Sequence, residues 1–152
     1  LLVEFFDMSF HEKSNALMLG AIVLVYGAYF LIVLGLPVMS GTDIDVNARL
    51  VMSNGLMLGS VVALVAIAII GHILITVLAP KDADKHDERD RLIEMRGDQR
   101  GGFVMAFGAL CGMGLAMLAM PHFWIVNAIL AGLVLGEIVK AVSKLIDYRR
   151  GV

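Results

Sequence analysis

Charge is missing from three long stretches of this chain. No Asp, Glu, Lys or Arg occurs from Ser14 to Thr42, from Leu50 to Pro80, or from Gly101 to Gly136. A helix on a soluble core carries charge on its wet face every turn or two, so these stretches exclude an ordinary water-soluble domain. Cysteine is almost absent. Cys111 stands alone, which excludes an intrachain disulfide and leaves the redox compartment open. Proline is confined to Pro37, Pro80 and Pro121, each at the end of an apolar run. A basic excess is missing too, and a net charge of −2 argues against nucleic-acid binding by the chain as a whole.

What remains is strongly apolar, with 59% hydrophobic residues and a mean hydropathy of +0.86, against about 45–50% apolar residues in a typical soluble domain. A membrane span needs about 20 apolar residues, at about 1.5 Å each, to cross about 30 Å of hydrocarbon. Four stretches satisfy this, at about residues 16–36, 51–79, 102–120 and 123–146. The expected fold is all-α: an integral membrane four-helix bundle of two antiparallel hairpins, forming one domain over residues 8–152. Leu1–Asp7, ahead of a plausible start at Met8, read as an upstream extension or a cloning remnant.

Orientation follows from Lys and Arg. Eleven of the twelve basic residues fall on one side of such a bundle, at Lys13, within Lys81–Arg100 and from Lys140 onward, and only Arg49 falls on the other. Both termini and the loop after the second span are therefore expected in the cytoplasm. His122, Phe123 and Trp124 are placed for an outer interface belt, and Tyr148 for the inner one.

The connection Lys81–Arg100 is the one sizeable hydrophilic segment. Its run Asp87-Glu88-Arg89-Asp90-Arg91-Leu92-Ile93-Glu94 alternates sign around a narrow apolar strip, which predicts a charged surface helix. That helix would feed the third span through Gly101-Gly102, a place to hinge or bend. Asp87, Glu88, Arg89, Asp90, Arg91 and Glu94 are either a solvated face or a docking surface for a partner.

Small-residue pairs one turn apart, Gly55/Gly59, Gly108/Gly112 and Gly132/Gly136, are expected to pack helices closely, within one bundle or as a seam between two copies, where lipid supplies no hydrophobic drive. Polar groups within spans are costly and are functional candidates by default. His72 and Glu137 qualify, each roughly 12 Å from the cytoplasmic end of its span. They form a proton- or ligand-sensing pair if the second and fourth spans touch. Otherwise His72 bonds a neighbouring carbonyl while Glu137 pairs with Lys140 or Lys144. Asn54 and Asn127 are available for interhelical hydrogen bonds. Met105, Cys111, Met113, Met117, Met120 and His122 supply soft ligands, but Met also fills helix surfaces, and no paired Cys or His joins them. No metal, other cofactor or catalytic residue is expected; His11 and His86 lack neighbours arranged for either. Residues 14–20 and 53–59 are similar, as in a duplicated unit.

Glu12-Lys13-Ser14, Gly71-His72-Ile73, Ala79-Pro80-Lys81, the Asp87–Glu94 run and Tyr148-Arg149-Arg150-Gly151 together resemble a family of short four-span bacterial membrane proteins of unknown function. The similarity covers essentially Met8 to Val152. It implies a multi-pass protein of the bacterial inner membrane. Members are often encoded beside small helix-turn-helix regulators, which implies a membrane partner or sensor for such a regulator. It carries no activity to transfer. The expected function is a non-enzymatic regulatory or accessory membrane protein, whose partners are the lipid bilayer and either another protein or a second copy of itself. The alternative is a small homo-oligomeric transporter or channel lined by His72 and Glu137.

Overall fold

The computed structural model describes residues 10–35, 46–78 and 88–150. Among the described residues there are four long helices and no strand. They are α1 (Phe10–Phe30, continued as a π-helical turn over Leu31–Gly35), α2 (Val46–Leu78), α3 (Glu88–Met117) and α4 (His122–Arg150). All four are long and apolar enough to cross a membrane. Their surfaces agree with that. Val51 is 74% exposed and Met117 82% exposed, and only 11% of the apolar window of α2 is buried. Water would penalise such surfaces by about 25 cal/mol per Å²; hydrocarbon does not.

The tightest contact joins α3 to α4. A Cβ added at Gly97 would lie 2.6 Å from Lys144 Cγ, and one at Gly101 2.7 Å from the Gly136 carbonyl. One at Gly108 would strike the Gly132 backbone, and one at Gly112 would strike Ile129. Residue numbers rise on α3 as they fall on α4, so the two run in opposite directions. Each interior glycine costs a helix about 1 kcal/mol relative to Ala. In hydrocarbon, however, an unpaired backbone group costs several kcal/mol. The helices therefore stay wound despite the glycines, and the glycines bring the two backbones together.

The other helices attach to this pair in sequence. Asn15 donates to the Ala141 carbonyl at 2.7 Å and Tyr29 donates to Asn127 at 2.9 Å, which sets α1 antiparallel along α4. Against α1 also lies α2, where Gly71 gives space to Leu17 and Ser53 bonds Tyr29. Among the described residues α3 packs on α4, α4 on α1 and α1 on α2, with a slighter contact from α2 to α4. The core they enclose is small: Ile22, Tyr26, Tyr29, Val33, Phe123, Leu130 and Val134.

Several boundaries differ from expectation for identifiable reasons. The charged segment and third span form one uninterrupted helix through Gly101-Gly102. Gly101 is held against Gly136, so a kink there would open the seam. The fourth helix runs on through Tyr148 to Arg150 because Asp147 and Tyr148 are engaged by α3. Phe123, expected at an interface, is 1% exposed and belongs to the core, while Trp124 stays outside at 45%. Gly55 and Gly59 were expected to pack helices; here both are exposed, and an added Cβ meets nothing within 4 Å. The similar segments 14–20 and 53–59 lie at opposite ends of antiparallel α1 and α2.

Helix α3 ends in a six-to-one capping turn. Met120 N–H donates to the Leu115 carbonyl at 3.1 Å and Ala119 N–H to the Ala116 carbonyl at 3.0 Å. This places Ala119 at φ 53°, where glycine is usual. Pro121, whose carbonyl accepts from Trp124 N–H at 2.9 Å, then starts α4. The left-handed conformation costs a non-glycine residue roughly 1–2 kcal/mol, partly offset by the unfolded-state entropy of glycine. Ala119→Gly is therefore expected to stabilise the protein by up to about 1 kcal/mol, read as a higher midpoint in denaturing-detergent titration. Gly108→Leu should cost about 3 kcal/mol or more, because backbone atoms cannot yield as a side chain can. Gly59→Leu, facing open space, should be neutral or slightly stabilising in the same titration.

Candidate functional site

Two polar regions stand out against this apolar background, one at each end of the array. At the first, the start of α1, the start of α3 and the end of α4 converge. Glu88 and Asp90 occupy the first turn of α3, and Arg149 and Arg150 the last turn of α4, each favourable for its helix dipole. Lys140 and Lys144 both reach Asp98 at 3.2 Å. Arg100 reaches the buried Asp147 at 3.1 Å. Arg89 donates to the Tyr148 carbonyl at 3.1 Å, and the Tyr148 hydroxyl bonds Asp90. Ile93, fully buried, packs beneath these contacts. The charged segment is thus fastened along its length to α4.

The protonation equilibria follow from that arrangement, in groups that lie outside the apolar stretches. Burial opposes ionisation of Asp98, but hydrogen bonds and charge from Lys144 and Lys140 outweigh it and hold the carboxyl below its ordinary value. Burial, then the Asp90 charge and hydrogen bond, push the Tyr148 phenol above its ordinary range. Because the folded state lowers the Asp98 pKa, its stabilising effect is present above the unfolded value of 3.8. It is lost as pH falls from there through the lowered folded value. Asp98 is 56% exposed on its side chain, so solvent screening keeps the effect modest. Asp98→Asn is expected to flatten the loss of stability between about pH 5 and pH 2, read from detergent-denaturation midpoints across that range.

The candidate docking residues divide accordingly. Arg89 and Asp90 are engaged with Tyr148. Glu88, Arg91 and Glu94 are exposed, and Asp87 lies outside the described residues. Beside them Leu92 is 48% and Met95 61% exposed, on the side of α3 turned away from buried Ile93 and Gly97. The result is a mixed charged and apolar face on a helix whose other side is locked to α4.

The second polar region lies in the opposite half of the array. Tyr29 Oη donates to Asn127 Oδ1 at 2.9 Å, Asn127 Nδ2 donates to the Phe123 carbonyl at 2.8 Å, and Ser53 bonds Tyr29. Tyr29, Ser53 and Asn127 are 3%, 1% and 4% exposed. Side-chain hydrogen bonds of this kind average about 0.6 kcal/mol within membranes, and here they tie α2, α1 and α4 together. Asn127 was among the residues available for such a bond, and Asn54, also available, is exposed. The partners Tyr29 and Ser53 were not singled out; a tyrosine deep within a span was the signal that could have found them.

His72 and Glu137 take separate surroundings. Exposed His72 lines a depression of about 430 Å³ with Ser14, Leu17 and Met18 of α1, and Glu137 is not part of that lining. The Glu137 carboxylate reaches Lys140 Nζ at 3.9 Å, one turn along its own helix. Glu137 thus pairs locally with Lys140, as one of the two expectations had it. Gly108, Gly112, Gly132 and Gly136 meet in the seam; Cys111, Met113 and Met117 face outward. Among the described residues, no three His, Cys, Asp or Glu side chains gather in a way that could hold a metal ion.

Comparison with known proteins adds no relative: no family model matches the chain, and no curated protein or solved structure does either.

Proposed function

We propose that this chain is a non-enzymatic accessory or regulatory membrane protein, with the charged end of α3 as its docking face toward a cytosolic or membrane partner. The orientation of the bundle rests on the positive-inside bias, which puts both termini and that end in the cytoplasm. The resemblance to four-span bacterial proteins agrees with an inner-membrane location and with a regulator as partner.

One observation carries the reading. The charged helix is continuous with a span and clamped to α4 by Gly97, Gly101, Asp98 and Arg100, yet it leaves Arg91, Leu92 and Met95 facing outward. Exposed Leu and Met flanked by charges, on a rigid helix beyond the hydrocarbon, form the kind of face a partner helix covers. A tethered but loosely attached charged segment would only solvate itself. Because α3 is one continuous helix, a partner at Leu92 would feel any shift of α3 against α4, and the reverse holds equally.

The transporter or channel alternative draws less from the geometry, since Glu137 is paired along its own helix and His72 opens beside α1 rather than into a shared path. The test is native mass spectrometry of the protein released gently from its own membrane, with and without the paired change Leu92→Ala, Met95→Ala. A second polypeptide at fixed stoichiometry in the unaltered protein, absent from the double variant, is expected. Capture that survives the substitution would remove the docking role from this face, and a bare homo-oligomer would favour transport.

A further inference from the structure

Between α1 and α4, with Leu115 of α3 on its border, runs a cleft of about 480 Å³. Small residues make room for it. Gly27 lies on one wall, where an added Cβ would meet nothing within 4 Å, and Ala128 and Ala131 lie on the other. Phe30, Val134 and Leu135 supply apolar surface. Asn127 borders the cleft, but its amide is already committed to Tyr29 and to the Phe123 carbonyl. An interior of this chemistry does not hold water.

The cleft follows α1 from Ile22 to Leu34, a run of roughly 18 Å at about 1.5 Å per residue. That is close to one leaflet of hydrocarbon, about half of 30 Å. Val23 and Leu135 on its edges are 49% and 54% exposed, so it opens sideways into the bilayer. At its outer end stands Trp124, in the first turn of α4 and 45% exposed, with its ring on Phe123 and an indole N–H to donate. The shape is amphiphilic: an apolar trough one leaflet long, with a hydrogen-bond donor at the head-group level.

We infer that this cleft is a binding site for one acyl chain of a phospholipid from the leaflet at the Trp124 end, whose ester or phosphate oxygen accepts from the indole N–H. The proposal rests on the membrane-spanning reading but not on any partner at α3. Retention comes from packing, since lipid tails gain no hydrophobic energy by moving from bilayer to protein. A chain in the trough touches two helices and fills space that no described residue fills. It would also set the spacing of α1 against α4, the helix that carries the charged clamp.

Trp124 is the only tryptophan in the chain, so its fluorescence reports the site directly. The purified full chain, in excess detergent, is titrated with a phospholipid brominated on one acyl chain. Quenching that saturates near one lipid per protein is expected. It should disappear in Gly27→Leu and in Ala131→Leu, both of which fill the trough, and persist in Gly59→Leu, which faces open space on α2. Quenching that only tracks the bulk lipid fraction would overturn the site, as would unchanged saturation in both filled variants. Circular dichroism matching the unaltered protein confirms that the filled variants fold. A chain that stays in solution without detergent would overturn the membrane reading itself, and that is seen at extraction, before any titration.

Discussion

The approach of the α3 and α4 backbones at Gly108 and Gly132 is the constraint on which the rest of the structure depends. In water, two helices are drawn together by apolar area; in hydrocarbon that drive vanishes and close packing must replace it. Glycine on both facing surfaces allows contacts that no side chain could make, from Gly97 to Gly112 on one helix and across Gly132 and Gly136 on the other. Once these helices are fixed, α1 can attach through Asn15 and Tyr29, and α2 follows on α1. Of the four, α2 is the helix with least of its span buried.

The same seam continues beyond the apolar region, and that continuity gives the charged end its character. Gly97 and Gly101 keep α3 close enough to α4 for Asp98 to reach two lysines and for Arg100 to reach Asp147. Exposed ion pairs are individually weak, typically below about 1 kcal/mol. Their effect here is directional: they hold one side of the helix, so that Arg91, Leu92 and Met95 face outward. The functional reading follows from this division of one helix into a fastened side and a free side.

Fold class was legible in the sequence because it depends on run length and charge segregation, both of which are linear properties. The seam was half legible. Four of the six paired glycines meet as their spacing suggested, whereas Gly55 and Gly59 carry the same signature on an open face. Spacing records that a surface is smooth and says nothing of what lies against it. The depth of His72 and Glu137 was legible, but the pairing of Glu137 with Lys140 was not decided by it, since depth is set by position in a span and contact by helix rotation and order. Gly101-Gly102 read as a hinge because glycine frees an isolated backbone, while against α4 the same residue removes that freedom. Tyr29, Ser53 and the cleft beside Gly27 depend on three helices at once, and no local pattern encodes them.

Rigid continuity from the charged face into the span is the central physical claim, and amide hydrogen exchange across Gly97–Phe103 in the lipid-embedded protein tests it most directly. A helix unbroken and clamped to α4 gives slow exchange through Gly101 and Gly102, comparable to the amides on either side. Fast exchange confined to those two glycines would mean that α3 hinges where it leaves the bilayer, and the coupling between the charged face and the bundle would be lost.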